Sequence, residues 1–395
     1  MTQPKGIFNK RVSLKNGDTL DIKVTEPPLT SYLSKVEYGD LIHWAWPEVK
    51  GDILTGKMTE WIYMPYALGF INNTLVGSMA YFTPRDTQDI GIIEFVETLP
   101  EHRRKGISNI LLSTLVKLFE KKGGLALLLC TANPIAGSLY EKHGFWYTIG
   151  DGMQRTNSKL STKIDNFNEW YFQNTGSTTI REATWGDLPR LSLLYNNPNP
   201  EWIIKDYLTE SFNNTRYEYH FVKIFTQVQK SDGKIFLLES NEKRVVGSVI
   251  LLRKNSFLEQ HLGFLSFRIA PSYQQNTLDI IEHTKESARN IGISILESHV
   301  AASDSDQIKF LELAGFSLTT RLKNRLYNGT IWTDLLIYTI EEKYTGKKRK
   351  DKSEFYGARQ EWQNDRIKNQ LHLSLIHISE PTRPRLLSYA VFCLK

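Results

Sequence analysis

Cysteine is almost missing from this chain. Its 395 residues contain two, Cys130 and Cys393, too few for a disulfide framework and in keeping with a reducing compartment. Long apolar runs are missing as well. Stretches such as Leu125–Cys130 fall far short of the roughly 18 residues that a membrane-spanning helix needs. Residues 1–6 carry no apolar segment of the secretory type, so the expected location is the cytoplasm, away from membranes. No His/Cys group has metal-ligand spacing and no Gly-x-Ser-x-Gly turn occurs, so neither a metal site nor a serine nucleophile elbow is expected. Basic domains are missing too. The net charge is +6, yet residues 1–342 hold 37 basic and 38 acidic side chains, which leaves the excess beyond them. A nucleic-acid-binding face on the folded part is therefore not expected. Residues 343–372, with the run Lys347-Lys348-Arg349-Lys350, read as a solvated, disordered basic tail. Residues 373–395 read like the translation of a transposase-type sequencing adapter and are set aside from fold reasoning.

What the chain does contain is an internal repeat. Val76-Gly77-Ser78 recurs as Val246-Gly247-Ser248, Pro100 as Pro271, and Gly144-Phe145 as Gly315-Phe316, at offsets that differ by a single residue. Two copies of one fold are expected: a first domain over 1–150, a Gly/Ser/Asn/Thr-rich linker over 151–177 and a second domain over 178–342. The first copy predicts a hairpin over Lys10–Val24 turning at Asn16-Gly17, two strands within Phe70–Phe82 joined through Asn72-Asn73, and a strand over Ile90–Thr98. A helix over 104–122, a strand over Leu125–Thr131 and a helix over 134–143 follow. The second copy predicts strands at Lys234–Glu239, Arg244–Arg253, Leu262–Ala270 and Ile293–Val300, with helices over 277–290 and 304–314.

Two segments carry chemistry. Pro100-Glu101-His102-Arg103-Arg104-Lys105-Gly106-Ile107-Ser108 ends an apolar strand and opens a helix whose Ile107, Leu111, Leu115 and Leu118 recur at helical spacing. A basic, glycine-containing turn at a helix start is an anion site, because open N–H groups, the helix dipole and a permissive glycine converge there. The second segment is Asn133-Pro134-Ile135-Ala136-Gly137-Ser138-Leu139-Tyr140-Glu141-Lys142-His143-Gly144-Phe145.

With these segments in this order, the chain resembles the GNAT superfamily of acyl-CoA N-acyltransferases. Arg103-Arg104-Lys105-Gly106-Ile107-Ser108 matches that family's phosphate loop, with Ser108 where Gly or Ala is preferred. Asn133, Ala136, Leu139, Tyr140, Gly144 and Phe145 match its second motif throughout. The resemblance implies an α/β (α+β) fold with two tandem domains, each a mixed, mostly antiparallel central sheet flanked by helices. It implies acetyl-CoA, or another acyl-CoA, as cosubstrate, held by Thr98, Arg103, Arg104, Lys105, Gly106, Ile107, Ser108 and Asn133. It implies direct acyl transfer to an amine, small or protein-borne. An alkylammonium with a pKa near ~10.4 must lose a proton before it attacks. Glu94 is the candidate base, and Glu97 is the alternative if a bulge turns the strand. The resemblance makes Tyr140 the acid that protonates the departing thiolate. Asn133 also suits a helix cap, and Cys130 suits packing. Trp44, Trp46, Trp61, Tyr63 and Tyr66 lie where acceptor loops sit in such enzymes, as a pocket wall or as core. A cofactor-binding sensor or scaffold without turnover is the alternative function.

In the second copy the phosphate loop becomes Gln274-Gln275-Asn276-Thr277-Leu278-Asp279 and Tyr140 becomes Leu311. That copy is expected to fold but to be catalytically silent.

Overall fold

The computed structural model describes residues 5–29, 31, 41–42, 46–148, 150–196, 217–327 and 329–341. The described residues belong to one compact unit; the basic run and the adapter-like stretch lie outside the described residues.

The first sheet is built from β1 (Lys5–Ser13), β2 (Thr19–Glu26), β3 (Ile62–Tyr63), β4 (Tyr66–Ile71), β5 (Thr74–Pro84), β6 (Ile90–Thr98), β7 (Ala126–Cys130), β8 (Trp146–Tyr147) and β9 (Gly152–Thr156). Helices α1 (Lys50–Thr55), α2 (Ile107–Lys121) and α3 (Pro134–Glu141) accompany it. Strand order is β1-β2-β4-β5-β6-β7-β9-β8, with β3 on β5. Neighbours are antiparallel except β6 and β7, which run parallel and pair only from Ile90↔Ala126 to Ile92↔Leu128. The β4–β5 hairpin turns on Asn72 and Asn73, both left-handed (φ 49° and 63°), which matches the twist of the strands it joins.

One irregularity positions the site. Ala80 pairs with Glu94 but Ser78 pairs with Glu97, so β6 carries one extra residue there. Phe95 sits in that bulge at φ 54°, and the Ser78 hydroxyl donates to its carbonyl at 3.2 Å. Its ring is buried against Trp46, Phe82 and Tyr66.

Helix α2 lays Ile107, Leu111, Leu112, Leu115, Val116, Leu118 and Phe119 into the core, against β4, β5 and β6. Its N-cap, Gly106, offers no side-chain bond. A missing cap costs about 1 kcal/mol, whereas each such buried side chain contributes roughly 1.5–3 kcal/mol. Packing therefore holds the helix in place while its first N–H groups stay open.

The stretch expected as a linker is largely structure. Residues 152–156 form β9, paired with β7, and α4 (Ser158–Ser161) and α5 (Phe167–Phe172) follow, with Phe167, Tyr171 and Phe172 buried. The polar reading misleads because β9 buries Gln154 and Thr156 beside Met153 while pairing along its whole length with β7.

The second sheet comprises β10 (Thr178–Glu182), β11 (Lys234–Ser240), β12 (Val245–Arg253), β13 (Leu262–Ile269), β14 (Ile295–Ala301), β15 (Ser317–Tyr327) and β16 (Trp332–Glu341), in the order β10-β11-β12-β13-β14-β16-β15. Its helices are α6 (Leu188–Tyr195), α7 (Tyr217–Lys230), α8 (Thr277–Asn290) and α9 (Ser305–Leu313). Its one parallel pair, β13 with β14, also stops early, at Phe264↔Glu297. One apolar core runs through both halves. Helix α6 is buried along its whole length and packs on β5 and β6 as well as on β12. From it the Arg190 guanidinium, 2% exposed, reaches Asp89 of the first half at 3.1 Å.

Candidate active site

Beyond Ile92 and Leu128 the two parallel strands no longer pair, and a cleft of about 540 Å³ opens between them. Its walls include Glu94 and Phe95 on β6, Cys130 at the end of β7 and Thr131 after it, and Asn133, Ala136 and Tyr140 at α3. Glu94, 3% exposed, lines the cleft at the edge of the bulge in β6. Tyr140 is 5% exposed, its ring edge-on to Phe145 at 5.8 Å. Asn133 caps α3, accepting from the N–H groups of Ile135 (3.0 Å) and Ala136 (3.4 Å).

The strand end leads directly to the turn expected to bind phosphate. Thr98 Oγ1 and Ser108 Oγ lie 2.9 Å apart, so Ser108 ties the helix start to the end of β6. Arg104 (φ 63°) and Gly106 (φ 85°) are both left-handed, a curvature that turns successive N–H groups toward a common centre. A Cβ placed on Gly106 would meet nothing within 4 Å, so space is open in front of it. An uncapped helix start, a left-handed turn and a strand split of this volume fit a long ligand with phosphates at one end and amides along its length, as acyl-CoA has.

The three cations of the turn are not equivalent. Arg103 folds back, donating from Nε to the Thr98 carbonyl at 3.0 Å and pairing with Glu97 at 3.0 Å. Lys105 reaches Asp18 of the β1–β2 turn at 3.3 Å, and hydrogen bonds from Asn16 and Lys105 hold that carboxyl below its usual range. Arg104 has no ion pair among the described residues. Asp18→Asn should release Lys105 for an incoming phosphate and tighten acetyl-CoA binding about two- to fivefold, more at low salt. Calorimetry at two ionic strengths would show it, and unchanged affinity would remove Lys105 from the site.

Other expectations fare differently. Glu97 turns out of the cleft, with Oε1 accepting from Arg103 and from the Thr98 N–H. Trp46 is core, 4% exposed, with its ring 5.3 Å from Phe82 and 5.5 Å from Phe95. Tyr66 is buried in the same cluster. Tyr63 lies at the opposite end of α2 from the turn, under Arg85 and Lys122; burial, with Glu26 nearby, pushes its hydroxyl up to about 12. Trp61 is half-buried, its carbonyl accepting from Arg85 N–H at 2.9 Å. Trp46, Tyr63 and Tyr66 fill core because burying an aromatic side chain outweighs exposing it at a surface pocket. Trp44 lies outside the described residues. Cys130, expected to pack, is half-buried on the cleft wall.

Asp151 was not foreseen. It lines the same cleft, its carbonyl accepting from Thr131 N–H at 2.9 Å. Gly150-Asp151-Gly152 reads as a linker start, and only the pairing of β7 with β9 shows where it lies. Among the described residues no group of His, Cys, Asp and Glu is placed to hold a metal ion, and no helix is long and apolar enough to cross a membrane.

Residues 37–145 match the acetyltransferase (GNAT) family and residues 180–337 match an acetyltransferase (GNAT) domain. No curated protein matches the chain. Similar solved structures include an N-acetyltransferase from Staphylococcus aureus Mu50, 21% identical, covering 42% of this chain and 99% of its own, TM-score 0.37. A phosphinothricin acetyltransferase from Sinorhizobium meliloti in complex with AcCoA is 14% identical, covers 45% of this chain and 97% of its own, and has a TM-score of 0.39. A variant of the spermidine N-acetyltransferase SpeG from Vibrio cholerae is 21% identical, with 43% and 96% covered and a TM-score of 0.35. With its two matched domains in tandem, each on a sheet whose single parallel pair splits, the chain belongs to the GNAT family of acyl-CoA N-acetyltransferases.

Proposed function

We propose that the first domain carries the activity, moving an acetyl group from acetyl-CoA to a primary amine by direct attack. The observation that carries this reading is the placement of Glu94 and Tyr140 on one cleft that leads into an open helix start. When bound, acetyl-CoA supplies an activated thioester. The turn at Arg104–Ser108 would hold its phosphates through backbone N–H groups, and Asn133 with the split edges of β6 and β7 would flank its amide arm. Glu94 would take the proton from the arriving ammonium, directly or through water, and the Tyr140 hydroxyl would give a proton to the departing sulfur.

Glu94 and Asp151 are carboxylates on a cleft whose described lining holds no Lys or Arg. Such a lining favours a cationic acceptor, since an alkylamine arrives protonated at neutral pH. A thiol-release screen over an amine panel tests the activity. Binding of acetyl-CoA with no thiol released by any amine would favour a sensor instead. Because Cys130 lines the cleft, initial rates must separate direct attack from relay through the thiol. Intersecting double-reciprocal lines are expected, and parallel lines with an acylated protein mass would overturn direct attack. Glu94→Gln should lower kcat/KM about 10²-fold at neutral pH, with partial recovery as the pH rises toward the pKa of the amine. A loss that is flat across pH would remove Glu94 as the base.

A further inference from the structure

The second domain keeps the strand split that defines a cofactor cleft, yet its split is filled from within. Pairing of β13 with β14 ends at Phe264↔Glu297, as pairing of β6 with β7 ends at Ile92↔Leu128. The remaining space, between the end of β13 and α9, is about 30 Å³, room for about one or two waters; the first cleft has about 540 Å³. Gln307 is the main filling. It stands at the place of Ala136 in the repeat, one turn into the helix, and is 7% exposed. Its Nε2 crosses to the end of β13 and donates to the Phe267 carbonyl at 2.7 Å. Beside it, Arg268 and Asp304, each 2% exposed, bring opposite charges to 3.8 Å. Asp304 caps α9 through Gln307 N–H at 3.2 Å, so cap, ion pair and carboxamide form one buried assembly.

The rest of the second site is altered to match. Strand β13 pairs with β12 in unbroken register, so the bulge is gone. The partner of Ile250, which stands where Ala80 does, is Ser266 rather than a carboxylate. No residue from 271 to 277 has a positive φ. The left-handed turn that opens N–H groups in the first domain is here a helical one, and the residue in the place of Gly106 is Thr277, fully buried.

We propose that Gln307 is a built-in substitute for the cofactor. Its carboxamide reaches across to the end of β13 and, with Arg268 Nη1 at 3.0 Å, satisfies the Phe267 carbonyl, leaving it no open lone pair for an amide-bearing ligand. The second domain is thereby held closed and complete without acyl-CoA, and the chain binds one cofactor. The comparison rests on the reading of the first cleft as the cofactor site; the closure itself rests on the contacts of the second.

Two measurements on the full chain test it separately. Calorimetry with acetyl-CoA should give one site per chain, with hydrogen exchange slowed in β6 and α2 and unchanged in residues 264–277 and 304–311. A second site, or slowed exchange in those second-domain segments, would overturn the proposal. The other measurement needs no ligand. Gln307→Met keeps the volume but removes the donor, and exchange across 304–311 should rise about tenfold, with Tm falling by about 2–5 °C. Gln307→Glu, which keeps the shape but cannot donate when ionised, should do the same. Unchanged exchange in both variants would overturn the closure even if acetyl-CoA proved not to bind. Failure of the proposed activity reads differently: no thiol release, with the effects at Gln307 intact.

Discussion

Tyr140→Phe should lower kcat by about 10²- to 10³-fold while leaving the acetyl-CoA Kd within about threefold. The substitution removes one oxygen from a ring that is 5% exposed and packed on Phe145, so the wall of the cleft keeps its shape and what goes is the proton donor. The split between the two constants carries the information. A purely structural tyrosine would raise Kd and lower Tm along with kcat. An acid lowers kcat alone, and less so with an acyl donor whose thiol is more acidic, because a better leaving group needs protonation less. Unchanged kcat across the pH profile would exclude Tyr140 as the acid.

Gly106→Asp should weaken acetyl-CoA binding by about 10²- to 10³-fold. Two costs add. The residue sits at φ 85°, where a side chain costs roughly 1–2 kcal/mol, and the carboxylate would stand near incoming phosphates, at roughly 1–4 kcal/mol for charges about 4 Å apart in water or near a protein surface. Gly106→Asn separates them, because it has nearly the same shape, tolerates left-handed backbone well and carries no charge. About tenfold weakening is expected for Asn. Salt should narrow the gap between the two variants. If Asp binds acetyl-CoA as glycine does, the turn is not the phosphate site.

Much of this was legible in the sequence, and the parts that were share a property. The strand Ile90–Thr98 and the helix Thr277–Asn290 match their expected bounds, the strand because a short apolar run buried on both faces stands out between polar flanks, the helix because its apolar residues recur on one face. Asn72-Asn73 was readable because few residues accept left-handed backbone. The bulge at Phe95 entered only as a condition favouring Glu97: Ile92-Ile93-Glu94-Phe95-Val96 reads as an unbroken strand, the extra residue shows only against its partner β5, and with the bulge present it is Glu94 that lines the cleft. Strand β9 was hidden because its buried Gln154 and Thr156 carry no apolar alternation. Trp46 and Tyr63 were ambiguous because a ring suits a pocket and a core equally well until its neighbours are known. Gln307 was invisible for a related reason. A single Ala-to-Gln difference between repeats means little until topology brings it across from Phe267.

The contact of α6 with β5 and β6 gives the pair of domains a shared fate. Leu188, Leu191 and Leu194 are buried in the same core as Phe82 and Phe95, and breaking a buried ion pair such as Arg190–Asp89 costs about 3–5 kcal/mol. A fragment cut after residue 177 would lose that cover and leave Asp89 without Arg190. The unit that can be moved between expression hosts, fused or recombined is thus the tandem and not the half that holds Tyr140. The second copy is thereby the packed back wall of its neighbour, and the surface it lends is part of what keeps that neighbour folded.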